Sequence, residues 1–537
     1  MLATRVARLI DRLLRDPTRR NWVSAVLLAV VLPLCAAIDM LLRLPDFGTE
    51  RLILLAWTVA TLPLTITAPD VAAYHYLDRP PRNASYQNPL VANGAACSAT
   101  ADAVYRPATI QQVATIVRRA AHTNSRVTVA GTRYSQGAQT LAPRSGRRSV
   151  LVDMSGIRHV CVDARNKTAV AGAGATWYDV QDAANRHGLA PRAQQGSAIF
   201  SVGGAVSVNC HGWDHHAGPI CTTLLYLTVV QADGRITRVW PGEAAFACAV
   251  GGYGLAGVVA EACLQLAPNF ALERRTSRMS SDEYADYFYR NVAGDRSRAL
   301  HTFRLSVEPG GLLRSGDATD FRIAGTATSA KLEREDPRGS LGERLVLHLA
   351  RRFGWVRALA WRWADRSVAT KPRNAWLRAS IGAAQADCSA ASADWLLEFF
   401  VPPARLAPFL RDLGRILDSN GVALLNATVR FARRDRLTLL AYAGAGDRFA
   451  VVLYFCQPLA PREVGRTIGW VREAIDCAIA SGGSYYLPYA PIATRAQFDA
   501  CYDARAFRNA KSALDPRGVF DTGFYRRYIA EDALLSL

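Results

Sequence analysis

The chain has 537 residues, more than one hydrophobic core usually supports, so we expect two or more domains. Half of its residues are hydrophobic and a fifth are charged, a balance that excludes global disorder. The formal net charge is +19, but the basic residues beyond residue 20 are scattered. No zinc-finger or RNA-recognition motif is present, so nucleic acid is not an expected partner.

The N-terminal region has the pattern of a membrane anchor. Six arginines lie in the first 20 residues, directly before an apolar run, which favours attraction to an anionic membrane face. Two uncharged runs, residues 21–38 and 52–69, are each long enough to span about 27 Å as a helix. We therefore predict a transmembrane helical hairpin; the alternatives are a single span, a cleaved signal sequence or a buried core helix.

The charge distribution also predicts an orientation. With the arginine-rich N-terminus inside, two crossings place the main body on the cytoplasmic side of a bacterial-type inner membrane. The eleven cysteines show no paired short spacing, and four of them (Cys35, Cys210, Cys263 and Cys456) lie in apolar surroundings. Buried free thiols in a reducing compartment are the expected state.

Residues 70–96 are polar and proline-bearing and are predicted to form a linker. A helix over residues 109–121 follows a strand end, because its apolar residues recur at helical spacing. A short strand at residues 127–130 then enters a glycine loop. Such a strand, helix and strand unit is a common way to build a nucleotide-phosphate site.

Three glycine segments follow one another along the chain. They are residues 129–139 (VAGTRYSQGAQ), 195–212 (QGSAIFSVGGAVSVNCHG) and 250–259 (VGGYGLAGVV), the last leading into a strand at residues 260–266. Glycine accepts positive φ and has no side chain, so such segments let a pyrophosphate or a flat ring approach the backbone. Three of them in this order are far more specific than any one alone.

The order of these segments resembles the FAD-binding domain of the vanillyl-alcohol oxidase and p-cresol methylhydroxylase (PCMH) superfamily. The motifs are most similar to those of the decaprenylphosphoryl-ribose 2′-epimerase flavoprotein subunit, chiefly at residues 201–216 (SVGGAVSVNCHGWDHH) and 249–259. A more distant likeness is to sugar-1,4-lactone oxidases. The resemblance covers residues 97–268 and returns at residues 482–527.

The resemblance implies FAD as the cofactor. The residues implied to bind it are Ala130, Gly131, Thr132, Arg133, Tyr134, Ser135, Gln136, Gly137, Gly196, Ser201, Val202, Gly203, Gly204, Val208, His211, Val259 and Tyr486. Many family members attach the flavin covalently to a histidine at the position of Tyr134, so noncovalent FAD is expected here.

Three histidines lie in or next to the second glycine segment. His211, His215 and His216 lack the partners and the spacing of a zinc site, so no metal is expected. His211 is interpreted as a flavin-side residue. The alternative for each of the three is a structural histidine bonded to a backbone carbonyl.

The resemblance also suggests substrate-side residues. Tyr489 stands where the epimerase subunit has a lysine, and Glu398 resembles a polar strand residue of that subunit. Arg430 matches an arginine of the lactone oxidases, whereas Thr428 replaces their glutamate. We predict Tyr489, Arg430 and Glu398 as catalytic residues, with paired structural charges on a sheet as the alternative for the last two. A tyrosine with a pKa of about 10 needs a cationic neighbour to act as a base.

Together these features predict an α+β protein with a two-part PCMH-type FAD-binding domain and an α+β substrate domain after the hairpin. The predicted order is a basic segment (1–20), two transmembrane helices (21–69), a linker (70–96), the FAD-binding domain (97–268), the substrate domain (269–481) and a C-terminal segment that returns to the FAD domain (482–537).

The predicted function is an FAD-dependent oxidoreductase. It would oxidise an alcohol carbon of a sugar-like or lipid-linked sugar substrate by hydride transfer to flavin N5, with oxygen, a quinone or a protein as electron acceptor. The alternatives are a membrane-anchored sugar-1,4-lactone oxidase and a flavin-binding membrane scaffold without turnover.

Overall fold

The computed structural model describes residues 90–92, 98–143, 146–329, 332, 341–378 and 392–531. The basic segment, both apolar runs and most of the predicted linker lie outside these residues. No helix in the described ranges combines the length and apolarity that a membrane span requires. The described residues belong to one compact unit.

Helices and strands are mixed along the whole described chain. The strands are β1 (Leu90–Ala92), β2 (Ser98–Thr100), β3 (Ala103–Tyr105), β4 (Arg126–Ala130), β5 (Ser149–Asp153), β6 (Val160–Asp163), β7 (Thr168–Gly172), β8 (Leu189–Pro191), β9 (Leu224–Val230), β10 (Ile236–Val239), β11 (Val258–Pro268), β12 (Phe270–Ser280), β13 (Arg298–Leu305), β14 (Ser315–Ala327), β15 (Ala369–Pro372), β16 (Ser392–Val401), β17 (Leu424–Ala432), β18 (Arg448–Pro458) and β19 (Ser484–Tyr485). The helices are α1 (Ile110–His122), α2 (Trp177–Asn185), α3 (Val202–Ser207), α4 (Ala244–Ala249), α5 (Ser281–Asn291), α6 (Leu341–Arg352), α7 (Gly354–Arg362), α8 (Arg373–Trp376), α9 (Leu406–Ser419), α10 (Pro461–Ala480), α11 (Arg495–Cys501), α12 (Ala504–Leu514) and α13 (Gly523–Tyr528).

The first glycine loop follows β4, which belongs to a small parallel sheet of order β3-β5-β4. Helix α1 begins where the Thr109 side chain accepts a hydrogen bond from the backbone of Gln112, and it buries Val113 and Val117. Parallel strands need a crossover, and α1 supplies it between β3 and β4. The predicted strand, helix and strand unit is confirmed.

The other two glycine segments border an antiparallel sheet of order β10-β9-β11-β7-β6, with β8 paired to β11. Helix α2 begins with a reciprocal capping box between Thr176 and Asp179. Its Val180 packs with Val202 and Val206 of α3 in one buried cluster. The two sheets together form a two-part architecture that carries all three glycine segments.

The rest of the chain builds an antiparallel sheet of order β15-β12-β14-β13-β17-β18-β16-β19. Helices α5, α9 and α10 cover one face, where Phe399 and Val451 join a large aromatic core. Side chains alternate along a strand, so neighbouring positions such as Leu396, Val452 and Tyr454 point to the opposite face, where α6 and α7 pack.

The C-terminal residues tie back to β4. Val127 forms a parallel bridge with Phe520, and its N–H donates to the carbonyl of Val519 over 2.8 Å. The buried Asp515 carboxylate accepts hydrogen bonds from the N–H groups of Val519 and Phe520 and pairs with Lys511 at 2.9 Å. These contacts fix the position of β4, the strand that leads into the first glycine loop.

Two local features depart from the sequence-based expectation. Strand β1 lies inside the predicted linker and pairs with β2, because a short hydrogen-bonded ladder forms there without any apolar periodicity to signal it. Among the described cysteines, which are all free, Cys210 and Cys263 are buried, whereas Cys456 is only partly buried.

Candidate functional site

A cavity of about 380 Å³ lies between the two-part glycine-rich half and the eight-stranded sheet. This volume is typical of a small-molecule site. All predicted site residues line it except Gly137 and Val202. The lining set is Ala130, Gly131, Thr132, Arg133, Tyr134, Ser135, Gln136, Gly196, Ser201, Gly203, Gly204, Val208, His211, Val259, Glu398, Arg430, Tyr486 and Tyr489.

The first two glycine segments touch each other at Gly131. A Cβ atom on Gly131 would lie 2.0 Å from Oγ of Ser201, so the serine side chain would have to move. Beside it, Arg133 adopts a φ of 62° and donates a hydrogen bond to Asp153 over 3.0 Å. The backbone of this loop is therefore held close to the second segment.

The paired glycines of the second segment have different roles. A Cβ on Gly203 would meet the Cβ of Ala173 at 2.7 Å, so this glycine allows α3 to pack against the sheet. Gly204 is exposed, and only Oγ of Ser201, at 3.0 Å, lies within 4 Å of its Cβ position. Gly204 thus leaves open space at the cavity wall.

Gln136 joins the first glycine loop to the eight-stranded sheet. Its side-chain Nε2 donates to the carbonyl of Asp394 and its Oε1 accepts from the N–H of Leu396, both over 2.8 Å. The neighbouring Gly137 donates its N–H to the carbonyl of Pro488 over 2.9 Å. Gly137 therefore lies off the cavity because it packs against the C-terminal segment.

Val202 also lies off the cavity. It is fully buried, and its N–H donates to the carbonyl of Ala175 over 2.8 Å. Two other predicted cofactor residues lie together at the far end of α3, where the Tyr486 hydroxyl donates to the carbonyl of Val208 over 2.7 Å. Tyr134 stands edge-on to Phe200, with ring centroids 5.7 Å apart.

Glu398 lies between two other predicted site residues. One carboxylate oxygen is in a short hydrogen bond with Nε2 of His211, and the other accepts from the Tyr489 hydroxyl over 3.3 Å. Glu398 and His211 are each 3% exposed, whereas Tyr489 is only partly buried at the cavity wall. The three form a hydrogen-bonded chain along the cavity wall.

The surroundings of Tyr489 disfavour its ionised form. Burial, followed by the Glu398 charge, raises the pKa of Tyr489 well above its usual value, although the Arg430 charge lowers it. A cationic neighbour is present, as a tyrosine base would require, but desolvation outweighs it. Tyr489 is a neutral hydroxyl that can pass a proton to the carboxylate behind it.

Arg430 shares one face of β17 with Asn426 and Thr428, because strand residues two apart point the same way. Asn426 accepts a hydrogen bond from Arg304 over 3.1 Å. For the Arg430 side chain, no hydrogen bond or ion pair occurs within the described ranges, and its Nε is buried without a partner. Arg430 therefore has no charged partner within these ranges, whereas Glu398 is paired with His211.

One buried group on the same sheet face was missed by the sequence reasoning. Asp394 pairs with Arg351 and accepts a short hydrogen bond from the Tyr454 hydroxyl. Burial raises the pKa of Asp394. Alternation along β16 places Asp394 two and four positions before Leu396 and Glu398, which is the signal that could have identified it.

The other two histidines lie behind the site. Nε2 of His216 bonds the carbonyl of Asp295 over 3.3 Å, as the structural alternative predicted. Both ring nitrogens of His215 are buried and lack partners among the described residues. Burial, with the charges of His216 and His301, lowers the pKa of His215 to about 2. No cluster able to hold a metal ion occurs in the described part of the chain.

The cavity wall fits a polar, extended ligand such as FAD. Four buried polar atoms there have no partner within the described residues: Ser135 Oγ, Gln139 Oε1, His211 Nδ1 and Arg430 Nε. Buried polar groups are rarely left unsatisfied, so a ligand is expected to bond to some of them. The space beside Gly204 leaves the backbone of α3 accessible to the same ligand.

Residues 101–239 match a protein family described as an FAD binding domain. An alditol oxidase from a Streptomyces species is 31% identical over 172 residues, which are 32% of this chain and 40% of that protein. A decaprenylphosphoryl-β-D-ribose oxidase from Mycolicibacterium smegmatis is 28% identical over 160 residues, 28% of this chain and 34% of that protein.

A putative D-arabinono-1,4-lactone oxidase from Neurospora crassa is 26% identical over 170 residues, 31% of this chain and 30% of that protein. The chain thus covers two fifths or less of these three relatives. The expected FAD-binding domain is confirmed for residues 101–239, which include the first two glycine segments, and FAD is its cofactor.

Proposed function

We propose that this chain, which carries a PCMH-type FAD-binding domain, is an FAD-linked oxidoreductase that oxidises an alcohol carbon of a sugar-like substrate. The observation that carries the proposal is the chain from Tyr489 to Glu398 to His211, which ends in the cavity lined by the glycine segments. The relatives named for alditols, a lipid-linked ribose and an aldonolactone support the substrate class.

Bound FAD would accept the hydride from the alcohol carbon. The residues of this chain handle the proton. Tyr489 takes the substrate hydroxyl proton on its phenol oxygen as its own proton moves to Glu398, so Tyr489 remains neutral. His211, on the other side of the carboxylate, orients Glu398 through the short hydrogen bond. General base catalysis of this kind contributes roughly 10²–10⁴-fold.

Arg430 supplies substrate binding. Its guanidinium faces the cavity without a carboxylate partner within the described residues, and guanidinium groups bind phosphate and vicinal oxygens through paired hydrogen bonds. We infer that it holds an anionic or polyol part of the substrate. A lipid-linked sugar phosphate would satisfy both descriptions.

The alternative function is that of a sugar-1,4-lactone oxidase, and this chain differs from those enzymes at one cavity position. Thr428 faces the cavity where the lactone oxidases have a glutamate, and Glu398, two strands away, is the carboxylate present. Burial of a carboxylate is energetically unfavourable. A scaffold without turnover would not require the buried Glu398 carboxylate in contact with a hydroxyl that lines the cavity.

Anaerobic reduction of the bound FAD tests the proposal. The purified full chain is mixed with an alditol, an aldono-1,4-lactone and a polyprenylphosphoryl ribose, and bleaching of the flavin absorbance is followed. We expect at least one to reduce the flavin, and reoxidation by oxygen or by a quinone analogue then identifies the acceptor. No bleaching by any of the three classes would favour the scaffold.

The membrane position is also part of our proposal. The six N-terminal arginines and the two apolar runs support a hairpin that leaves the FAD domain in the cytoplasm beside an inner membrane. Reporters that are active on only one side of the membrane, fused after Arg82 and at the C-terminus, test this. A periplasmic signal from either fusion would contradict the hairpin and favour a single span.

A further inference from the structure

Helix α7 carries an apolar stripe on its outward side. Trp355 is 63% exposed and Trp363, directly after the helix, is 80% exposed, with Leu359 and Arg362 between them at helical spacing. The outward side of a surface helix is normally polar. We call Trp355, Leu359, Arg362 and Trp363 the tryptophan face.

The opposite side of α7 is firmly held. Trp361 is 1% exposed, and three guanidinium groups lie within 6 Å of the centre of its indole ring: those of Arg278, Arg304 and Arg366. Val356 is buried against the eight-stranded sheet. The exposed tryptophans therefore stand on a fixed helix and do not belong to a loose segment.

The charge around the tryptophan face is positive. Residues 346–368 contain five arginines and one acidic residue, Asp365, which pairs with Arg274 at 2.6 Å. Arg351 and Arg366 pair inward with Asp394 and Asp317. Arg352 is exposed, and the side chain of Arg362 is 61% exposed and forms an ion pair with Glu308 on the surface. The excess of arginine over acidic residues in this segment therefore borders the tryptophan face on the outside.

Helices α6 and α7 also border the cavity. Leu347 of α6 lines the cavity, and its neighbour Val346 is 47% exposed. Leu347, Ala350 and Val356 belong to one apolar cluster with Leu425, Tyr454 and Tyr489. The inner side of α6 and α7 thus covers the substrate end of the cavity while the outer side presents tryptophan and arginine.

We propose that the tryptophan face docks on the surface of an anionic lipid bilayer. Tryptophan is favoured at the headgroup level, and a segment with excess arginine is attracted to an anionic lipid surface. An interfacial helix of this kind needs no membrane-spanning segment. Docking there brings the cavity rim at Leu347 to the lipid headgroups, which would admit a lipid-linked substrate; only this last step rests on the proposed function.

Quenching of tryptophan fluorescence by brominated lipids tests the docking. The full chain is reconstituted into vesicles of phosphatidylcholine alone or of equal parts phosphatidylcholine and phosphatidylglycerol, with bromine on the acyl chains. We compare the double variant Trp355→Gln/Trp363→Gln with Trp240→Gln, which removes a 46% exposed tryptophan from the glycine-rich half. Trp22 and Trp57, in the apolar runs, are the same in every protein.

We expect brominated lipids to quench less of the tryptophan emission in the double variant than in Trp240→Gln. The difference between the two variants should be larger in the vesicles that contain phosphatidylglycerol. Retained flavin colour shows that each variant is folded. Equal quenching in both variants would overturn the proposal. A double variant that changes its oligomeric state without a change in quenching would also overturn it, because the tryptophan face would then bind a second copy of this chain. The readout needs no turnover, so it is independent of the proposed reaction.

Discussion

The Tyr489 hydroxyl donates a hydrogen bond to the Glu398 carboxylate over 3.3 Å, and this carboxylate is the final proton acceptor in our mechanism. Replacing Glu398 by Gln removes the acceptor but keeps the shape. We expect the rate of flavin reduction to fall about 10²–10⁴-fold. The measurement is stopped-flow flavin reduction with whichever substrate bleaches the wild-type enzyme.

Two further variants make this prediction specific. Tyr489→Phe should also slow flavin reduction because it interrupts the relay, whereas Glu243→Gln, at an exposed carboxylate, should not. FAD content should be unchanged in all three. An unimpaired Glu398→Gln enzyme would remove Glu398 from the proton pathway.

The two glycine segments allow a matched pair of substitutions. Gly131→Ala places a methyl group 2.0 Å from Oγ of Ser201, so we expect loss of both FAD and thermal stability, with partial recovery in Gly131→Ala/Ser201→Gly. Gly204→Leu extends into open cavity space, so we expect loss of FAD with a melting temperature of the apoprotein close to that of the wild type. FAD content by absorbance and melting by circular dichroism separate the two.

The smaller change Gly204→Ala is the control, since its methyl group meets only a serine oxygen at 3.0 Å. It should retain FAD. A Gly204→Leu protein with a full complement of FAD would show that the cofactor lies elsewhere.

We predict that the flavin is bound without a covalent link. Tyr134 holds the place of the linking histidine, and burial raises the pKa of Cys210, the cysteine lining the cavity, so that its reactive thiolate is disfavoured. Acid precipitation should therefore release the yellow colour into the supernatant. Colour that stays in the pellet would contradict this prediction, and a colourless protein that takes up no FAD would contradict the cofactor.

His215 predicts a loss of stability in mild acid. Its pKa is lowered from 6.5 to about 2 in the folded protein, so below about pH 6.5 the unfolded chain binds a proton that the folded chain does not. This makes unfolding more favourable by at most about 1.4 kcal/mol per pH unit. Denaturant unfolding of wild type and His215→Gln at about pH 7 and about pH 5 measures the difference.

The variant should lose less stability than the wild type over that interval. His187→Gln, at an exposed histidine, is the control and should behave as the wild type does. Equal losses in wild type and His215→Gln would mean that His215 is protonated in the folded protein.

The sequence predicted the local elements well, because they are set by short-range patterns. The apolar spacing in α1, the short strand β4 and the glycines of the three segments are each visible within about twenty residues. The resemblance then placed nearly all of the predicted cofactor residues on one cavity.

Long-range contacts were less accessible to the same reasoning. Glu398 and His211 are 187 residues apart, and alternation alone does not say which face of a strand meets the cavity. The two hydrogen bonds of Gln136 reach about 260 residues along the chain, and no local signal distinguishes its side chain from the cofactor-facing residues beside it. For the same reason Gly137 and Val202 were included although they face other parts of the protein.

The side-chain amide of Gln136 bears on the construction of chimaeric proteins with this fold. It bonds the carbonyl of Asp394 and the N–H of Leu396, so the cofactor loop and the substrate sheet are joined through main-chain groups whose identity does not depend on the side chains there. A substrate half taken from a relative and grafted after residue 268 would still offer the same backbone donor and acceptor. Chimaeras that exchange substrate preference should therefore assemble provided that Gln136 is kept and the first residues of the grafted β16 are extended.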